Sequence, residues 1–399
     1  MRRFVSVLCA AAAVQLAPAV AQANAEVIAA YDARSTGMAM TGAAYVDNAT
    51  AILHNPANLI DVKRLSIDVS FNPAINKMTS QVFTGQPGQA SIGMTTPFSL
   101  APLGFVGVAY KGHSRFAIGA GAMIMDGQGA KYKEAPLSIF GNPAGRGVSG
   151  TASGASLAYE VRIPVAIKLT DWLTVAGGYR MTFANQITTF KAGGQTLLDQ
   201  TTGGNNFASA QAGLMIRPMP ELQFGLSYRS RTKIEMTGNT TLVDAASGQA
   251  ATIATPSTFY VAPHQFTAGV ATRLLDRKLL LTGDFKYWMY ADAYAGQRDH
   301  QDAMSGHVGA EYHINRYVPV RAGYFVGRSG VLDQGASAFN TSPKLQMGGS
   351  VGSGVHLDLV DLDVSVGYGE AGGNVTDNTL PGKYHQRLVV FGVSASFKI

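Results

Sequence analysis

The closing run "LVVFGVSASFKI", Leu388–Ile399, sorts its residues by parity. Val389, Phe391, Val393, Ala395, Phe397 and Ile399 share one face of an extended chain, while Gly392, Ser394, Ser396 and Lys398 share the other. Period 2 held over this length marks a half-buried strand. The split recurs upstream. In "DWLTVAGGYRMTF", Leu173, Val175, Tyr179, Met181 and Phe183 oppose Thr174, Gly178, Arg180 and Thr182. In "LQFGLSYRSRTKIEM", Leu222, Phe224, Leu226, Tyr228, Ile234 and Met236 oppose Gln223, Arg229, Arg231, Lys233 and Glu235. A polar face bearing full charges is either the outside of a sandwich or the lumen of a membrane barrel.

Connection lengths separate the two. Candidate strands start near Leu65, Ala101, Arg115, Ala155, Trp172, Phe207, Glu221, Pro263, Lys278, Met304, Val318, Lys344, Leu359 and Tyr384. Tight links fall at Gly112-His113-Ser114, Thr170-Asp171, Pro218-Met219-Pro220, Asp276-Arg277, Asn315-Arg316 and near Leu357-Asp358. Between them come long polar links near 79–100, 126–154, 188–206, 238–262, 291–303, 328–343 and 370–383. Strict alternation of short and long links with an even strand count predicts an all-β fold, a transmembrane antiparallel β-barrel of about 14 strands. Greek-key sandwich links would not alternate so regularly. Trp172, Tyr228, Tyr287, Trp288, Tyr290, Tyr312, Tyr317, Tyr324 and Tyr384 lie towards strand ends, where interfacial girdles form.

Composition agrees with a surface not covered by water. The chain is 46% apolar with 46 glycines, and only 14% charged, against about a quarter in soluble domains. Arg2 and Arg3, an apolar stretch and Ala23-Asn24-Ala25 predict a signal peptide over 1–25, and with it export to the bacterial outer membrane. The one cysteine, Cys9, falls inside that leader, so the mature chain has no disulfide or thiol chemistry. A formal net charge of +6, two of it from Arg2 and Arg3, is no nucleic-acid footprint. No uninterrupted apolar run reaches the 18 or so residues of a membrane helix.

Residues 26–63 have too little core to be a domain. Ser35 is placed to cap a short helix over Thr36–Ala44, and Asp47 or Asn48 another over Ala49–His54, with Pro56 ending it at Asn55. The segment is too apolar and too poor in charge for disorder. It reads as a plug packed by small residues against barrel walls, with the barrel over 64–399.

The stretch "ARSTGMAMTGAAYVDNATAILHNPANL", Ala33–Leu59, resembles the N-terminal hatch of the FadL-type outer-membrane transporters of hydrophobic compounds, including Asn55-Pro56-Ala57. "GLSYRSRTKIEMTGN" (Gly225–Asn239), "LLLTGDFKYWMY" (Leu279–Tyr290) and "VPVRAGYFVGRSGVLD" (Val318–Asp333) resemble strands of that family in the same order. The resemblance implies a fourteen-stranded barrel with a hatch. It implies passive uptake of long-chain fatty acids or aromatic hydrocarbons, by a monomer set among outer-membrane lipid and lipopolysaccharide. Ligand is then captured at the outer loops, held above the hatch, and released sideways at a kinked third strand. That strand is "RFAIGAGAMIM", where Gly119 and Gly121 permit a bulge or local unpairing. A fatty acid needs an apolar groove, worth about 0.8 kcal/mol per CH₂, and a cation for its carboxylate. Arg180, Arg229, Arg231, Lys233, Lys286 and Arg321 are assigned to lumenal faces. Arg180 and Lys286 are the first choices for ligand binding, with Phe183 and Trp288 bordering an apolar path.

His307, Glu311 and His313 share one strand face, but alternate side chains stand about 7 Å apart, wide for one tetrahedral ion, so lumen polarity is the expectation. No recognisable active-site motif accompanies the Ser and His residues. The chain reads as a transporter without cofactor or metal. A loop-based adhesin or receptor is the alternative, and a barrel lipid enzyme a third reading.

Overall fold

The computed structural model describes residues 31–82, 92–95, 99–136, 148–244, 247–294, 300–332, 345–375 and 382–399. The expected signal peptide and parts of several outer connections lie outside these residues. The chain forms a closed antiparallel barrel of fourteen strands. They are β1 Leu65–Val82; β2, Ile92–Thr95 and Ser99–His113; β3 Phe116–Pro136; β4 Ser149–Lys168; β5 Leu173–Ala192; β6 Gln195–Met219; β7, Leu222–Arg229 and Thr232–Val243; β8, Ala250–Ala262 and Gln265–Leu274; β9 Leu279–Trp288; β10 Ala303–His313; β11 Pro319–Arg328; β12 Leu345–His356; β13 Val360–Val375; and β14 Gly382–Lys398. Closure runs from Ser66↔Lys398 to Val82↔Gly382 between β1 and β14.

The apolar faces point outward. Val69, Phe71, Leu226, Leu362 and Val393 are each at least 50% exposed. A soluble monomer rarely shows an apolar surface beyond a few hundred Å², so a band around the whole barrel needs lipid against it. Trp172, Tyr312, Tyr317 and Tyr324 stand on this outer surface. Trp288 and Tyr290, expected in the same girdle, are instead buried, each 1% exposed. The side chain of Tyr384 is outside those described.

Two sequence expectations are corrected. The link expected over 188–206 is a hairpin, because β5 runs to Ala192 and β6 starts at Gln195. Its turn is Gly193-Gly194, both at positive φ (57° and 79°), the backbone that two-residue hairpins need. Polar and apolar residues mix on both faces here, with Thr188 and Phe190 buried and Ile187 exposed, so alternation of residue type vanishes although pairing continues. The link over 238–262 shrinks similarly between Val243 and Ala250. The second correction is one of face. β7 is interrupted at Ser230-Arg231, and its parity reverses there. Ile234 and Met236 turn inward, 0% and 3% exposed, while Arg231 and Lys233 turn out.

Residues 31–62 lie inside the barrel. Helix α1, Ala33–Gly37, is capped by Asp32, whose carboxylate accepts from Ser35 N at 2.8 Å. It therefore starts earlier and ends sooner than the sequence suggested, since Ala39 and Met40 adopt positive φ. Helix α2, Ala51–His54, stops at Asn55, and a 3₁₀ turn follows over Pro56–Asp61. Asn55 caps that turn through Ala57 N at 3.1 Å, with proline at its first position. Lumenal glycines make room for this segment. A Cβ on Gly225 would sit 1.9 Å from the Ala43 carbonyl oxygen, and one on Gly323 2.4 Å from Ala39 N. Gly213, Gly269 and Gly309 meet Asn55, Ala43 and Met38 in the same way.

Candidate ligand path

The inserted segment is fastened by polar bonds, several of them from β9, β10 and β11. Asp284 accepts from Gly42 N (2.9 Å) and Ala43 N (3.1 Å), and Thr282 bonds Thr41 at 2.7 Å. Asn55 Nδ2 donates to the Ala43 carbonyl (2.8 Å) and to Leu214 O on β6 (3.0 Å). Arg34 reaches Glu311 (2.8 Å) and Asp47 (2.6 Å), and Glu311 also takes Arg321 at 2.6 Å. His307 is bonded to Ala39 O and Ser305, both at 2.7 Å. His307, Glu311 and His313 thus hold the inserted segment or its neighbours. No cluster able to hold a metal occurs among the described residues.

The largest apolar cluster lies towards β2–β8. Ile52, Leu53, Leu59 and Ile60 of the inserted segment pack with Phe105, Met123, Met125, Met215, Ile234, Met236 and Tyr260 from the wall. This cluster ends where the wall itself is interrupted. The β2–β3 ladder runs from His113↔Phe116 up to Phe105↔Met123 and stops. Above that point Ser99–Gly104 pair only with β1. On its other side β3 is bulged at Met125, and no pair forms between Gly119-Ala120 and Ile163-Pro164, where Pro164 has no N–H to give. The Phe105 ring lies over Gly107 and Gly121, within 2.2 Å and 2.6 Å of where their Cβ atoms would be. Gly119 faces Ile52 and Leu59. Side chains, not a ladder, close the wall here. A Cβ on Gly127 would stand 3.5 Å from that of Ala101.

Beside the apolar cluster is a buried charge group. Glu160 takes Arg180 at 2.6 Å and Thr182 at 2.9 Å, and pairs with Arg162. Arg162 Nη1 donates to the Leu53 carbonyl at 3.1 Å, while its Nη2 has no hydrogen-bond partner among the described residues. Arg162 was not singled out by sequence. The signal for it was Arg162 and Glu160 on one parity of β4, opposite Arg180 and Thr182 in register.

The four expected ligand-binding residues do not form one site. Arg180 is held by Glu160 and by Ser230 O at 2.9 Å. Lys286 donates to Met40 O at 2.9 Å and so fastens the inserted segment. Phe183 must be corrected: it stacks on Tyr159 (4.9 Å, 8°) and edge-on to Phe207, rings that face outward. Trp288 faces the lumen, and its Nε1 is unpaired among the described residues.

The sequence profile of the outer membrane protein transport family (OMPP1/FadL/TodX) matches residues 14–272. The chain belongs to this family. Its fold is shared with a FadL homologue of Pseudomonas aeruginosa (13% identity, 92% of this chain and 98% of that one, TM-score 0.71). It is shared with the toluene transporter TodX of P. putida (14%, 93% and 99%, 0.72) and with TbuX of Ralstonia pickettii (16%, 93% and 99%, 0.67). No curated protein matches the sequence. As an OMPP1/FadL/TodX member, the chain is an outer-membrane β-barrel transport protein for hydrophobic compounds.

Proposed function

We propose that this transporter takes long-chain fatty acids or comparable apolar molecules passively from outside the cell, leads them along the β3–β8 side of the lumen, and releases them sideways into the bilayer between β2 and β3. Residues 26–63 act as the hatch that closes the lumen below. One observation carries the reading: the apolar cluster beside the inserted segment leads to a stretch where two neighbouring described strands, β2 Ser99–Gly104 and β3 beyond Met123, run side by side without a ladder.

A route of this kind needs no energy source. An acyl chain entering the apolar cluster is relieved of water at about 0.8 kcal/mol per CH₂, and the bilayer beyond the gap offers the same gain. With no ladder across the gap, local opening there parts side-chain contacts rather than a row of backbone hydrogen bonds. For a carboxylate the buried guanidinium Arg162 has a free donor next to the cluster, which supports a fatty acid over an uncharged hydrocarbon. Uptake of labelled oleate and of toluene into a strain lacking its own transporters tests the proposal. Oleate uptake restored by this chain is the expected result. Absence of uptake of both, with a folded barrel in the membrane, would sink it.

A further inference from the structure

At the short-turn end of the barrel, below the hatch, lies a cavity of about 420 Å³. Its ceiling is made by hatch residues Tyr45, Asp47 and Asp61. Its wall carries Lys63, Arg217, Arg273, Arg277 and Lys398, from the start of β1, the β6–β7 and β8–β9 turns and the end of β14. Five cations face two carboxylates, and both carboxylates are already used. Asp61 takes Arg217 at 2.7 Å. Asp47 takes Arg34 at 2.6 Å, with Lys398 at 3.6 Å and the Tyr45 hydroxyl at 3.0 Å. Lys63, Arg273 and Arg277 form no direct ion pair among the described residues, and Arg273 acts on Asp61 only through space.

We propose that this mouth binds a small oxyanion, a carboxylate or phosphate group, held chiefly by Arg273 and Arg277. Arg273 is preorganised for it. Its guanidinium lies over the Tyr45 ring at 4.0 Å, which fixes the plane and leaves the N–H edges free. A planar fork of donors matches two oxygens of a carboxylate or phosphate. Uncompensated like charges lining a concavity repel one another and focus a positive field, and an anion relieves both. The volume is that of a small-ligand pocket, about 300–1,000 Å³. Short turns place the mouth on the periplasmic side, where the oxyanion is either the headgroup of an inner-leaflet phospholipid or a soluble anion. Because the ceiling is hatch, occupancy bears directly on Tyr45, Asp47 and Asp61. The inference rests on the mouth alone and stands apart from the exit route above it.

The test uses the full barrel in an uncharged detergent. Inorganic phosphate is titrated calorimetrically, and retention of phosphatidylglycerol against phosphatidylcholine is read by native mass spectrometry. One saturable site that weakens at least tenfold in Arg273→Gln/Arg277→Gln, but not in Arg231→Gln at the far end, is expected. Saturation by phosphate without lipid enrichment assigns a soluble anion, and selective retention of phosphatidylglycerol assigns a headgroup. Arg277→Glu, on an exposed turn, keeps the test open should Arg273→Gln disturb Tyr45. No saturable binding of either probe, or equal binding in all variants, would overturn the site.

Discussion

Glu160 is a single buried carboxylate shared by two buried guanidiniums, and it accepts from Thr182. Removing that carboxylate leaves both guanidiniums uncompensated in a dry site, at a cost of about 3–5 kcal/mol. Glu160→Gln should therefore lower the urea midpoint of the barrel markedly, whereas Arg231→Gln on the surface should not. Arg162→Gln should act on selectivity, cutting oleate uptake about tenfold, the equivalent of about 1.4 kcal/mol, with toluene uptake little changed. Equal loss of both would mean that Arg162 serves structure alone. Among hatch carboxylates, burial raises Asp47, but Lys398 and Arg34 outweigh it and hold it well below the usual range. A lowered folded pKa contributes stability above the unfolded value of about 3.9 and loses it as pH falls further. Protection of hatch amides against hydrogen exchange should then persist from pH 7 to 5 and decline below about 4. Asp61, pushed up by burial, works in the opposite sense. Asp47→Asn isolates the first effect: weaker protection at pH 7 and a smaller acid loss.

At the scale of elements, alternation was legible wherever one strand face met lipid and the other the lumen. That contrast located most strand starts and the regular short links. It failed where polar and apolar residues mix on both faces, in the β5–β6 hairpin, where Thr188 is buried and Ile187 exposed. It failed again at Ser230-Arg231, since a break that reverses parity leaves no trace in residue type. This is why Lys233 was assigned to the lumen and is found over the outward Phe259 ring. Residues 31–62 lie inside the barrel, but the positions on the wall that seat them were not legible in the sequence. Glycines such as Gly225, Gly309 and Gly323 looked like ordinary polar-face residues, although each admits hatch backbone. Gly225→Val should expel that backbone, because the Cβ position lies 1.9 Å from a carbonyl oxygen that cannot swing away. The expected result is faster proteolysis between Asp32 and Val62 and a raised single-channel conductance in planar bilayers. Unchanged conductance would mean that the hatch is not seated there.

As a whole molecule, the barrel divides its lumen into two halves with different tasks. On one side Asp284, Lys286, Glu311 and Arg321 hold the hatch in place through hydrogen bonds and ion pairs. On the other, apolar side chains from Ile52 to Tyr260 border the interrupted wall. The family resemblance pointed to the third strand at Gly119 and Gly121, and both glycines lie in the paired stretch of β2–β3, short of the gap. The gap itself comes from where the β2–β3 ladder stops, at Phe105↔Met123, which no single residue announces. Geometry supplies the decisive experiment. The Cβ positions of Ala101 and Gly127 lie 3.5 Å apart across the gap, within the span of a disulfide at about 3.5–4.5 Å. In an Ala101→Cys/Gly127→Cys variant, oleate uptake should fall at least fivefold on oxidation and return on reduction, with the hatch still docked. Equal uptake by the fully cross-linked and the reduced barrel would contradict sideways release between β2 and β3.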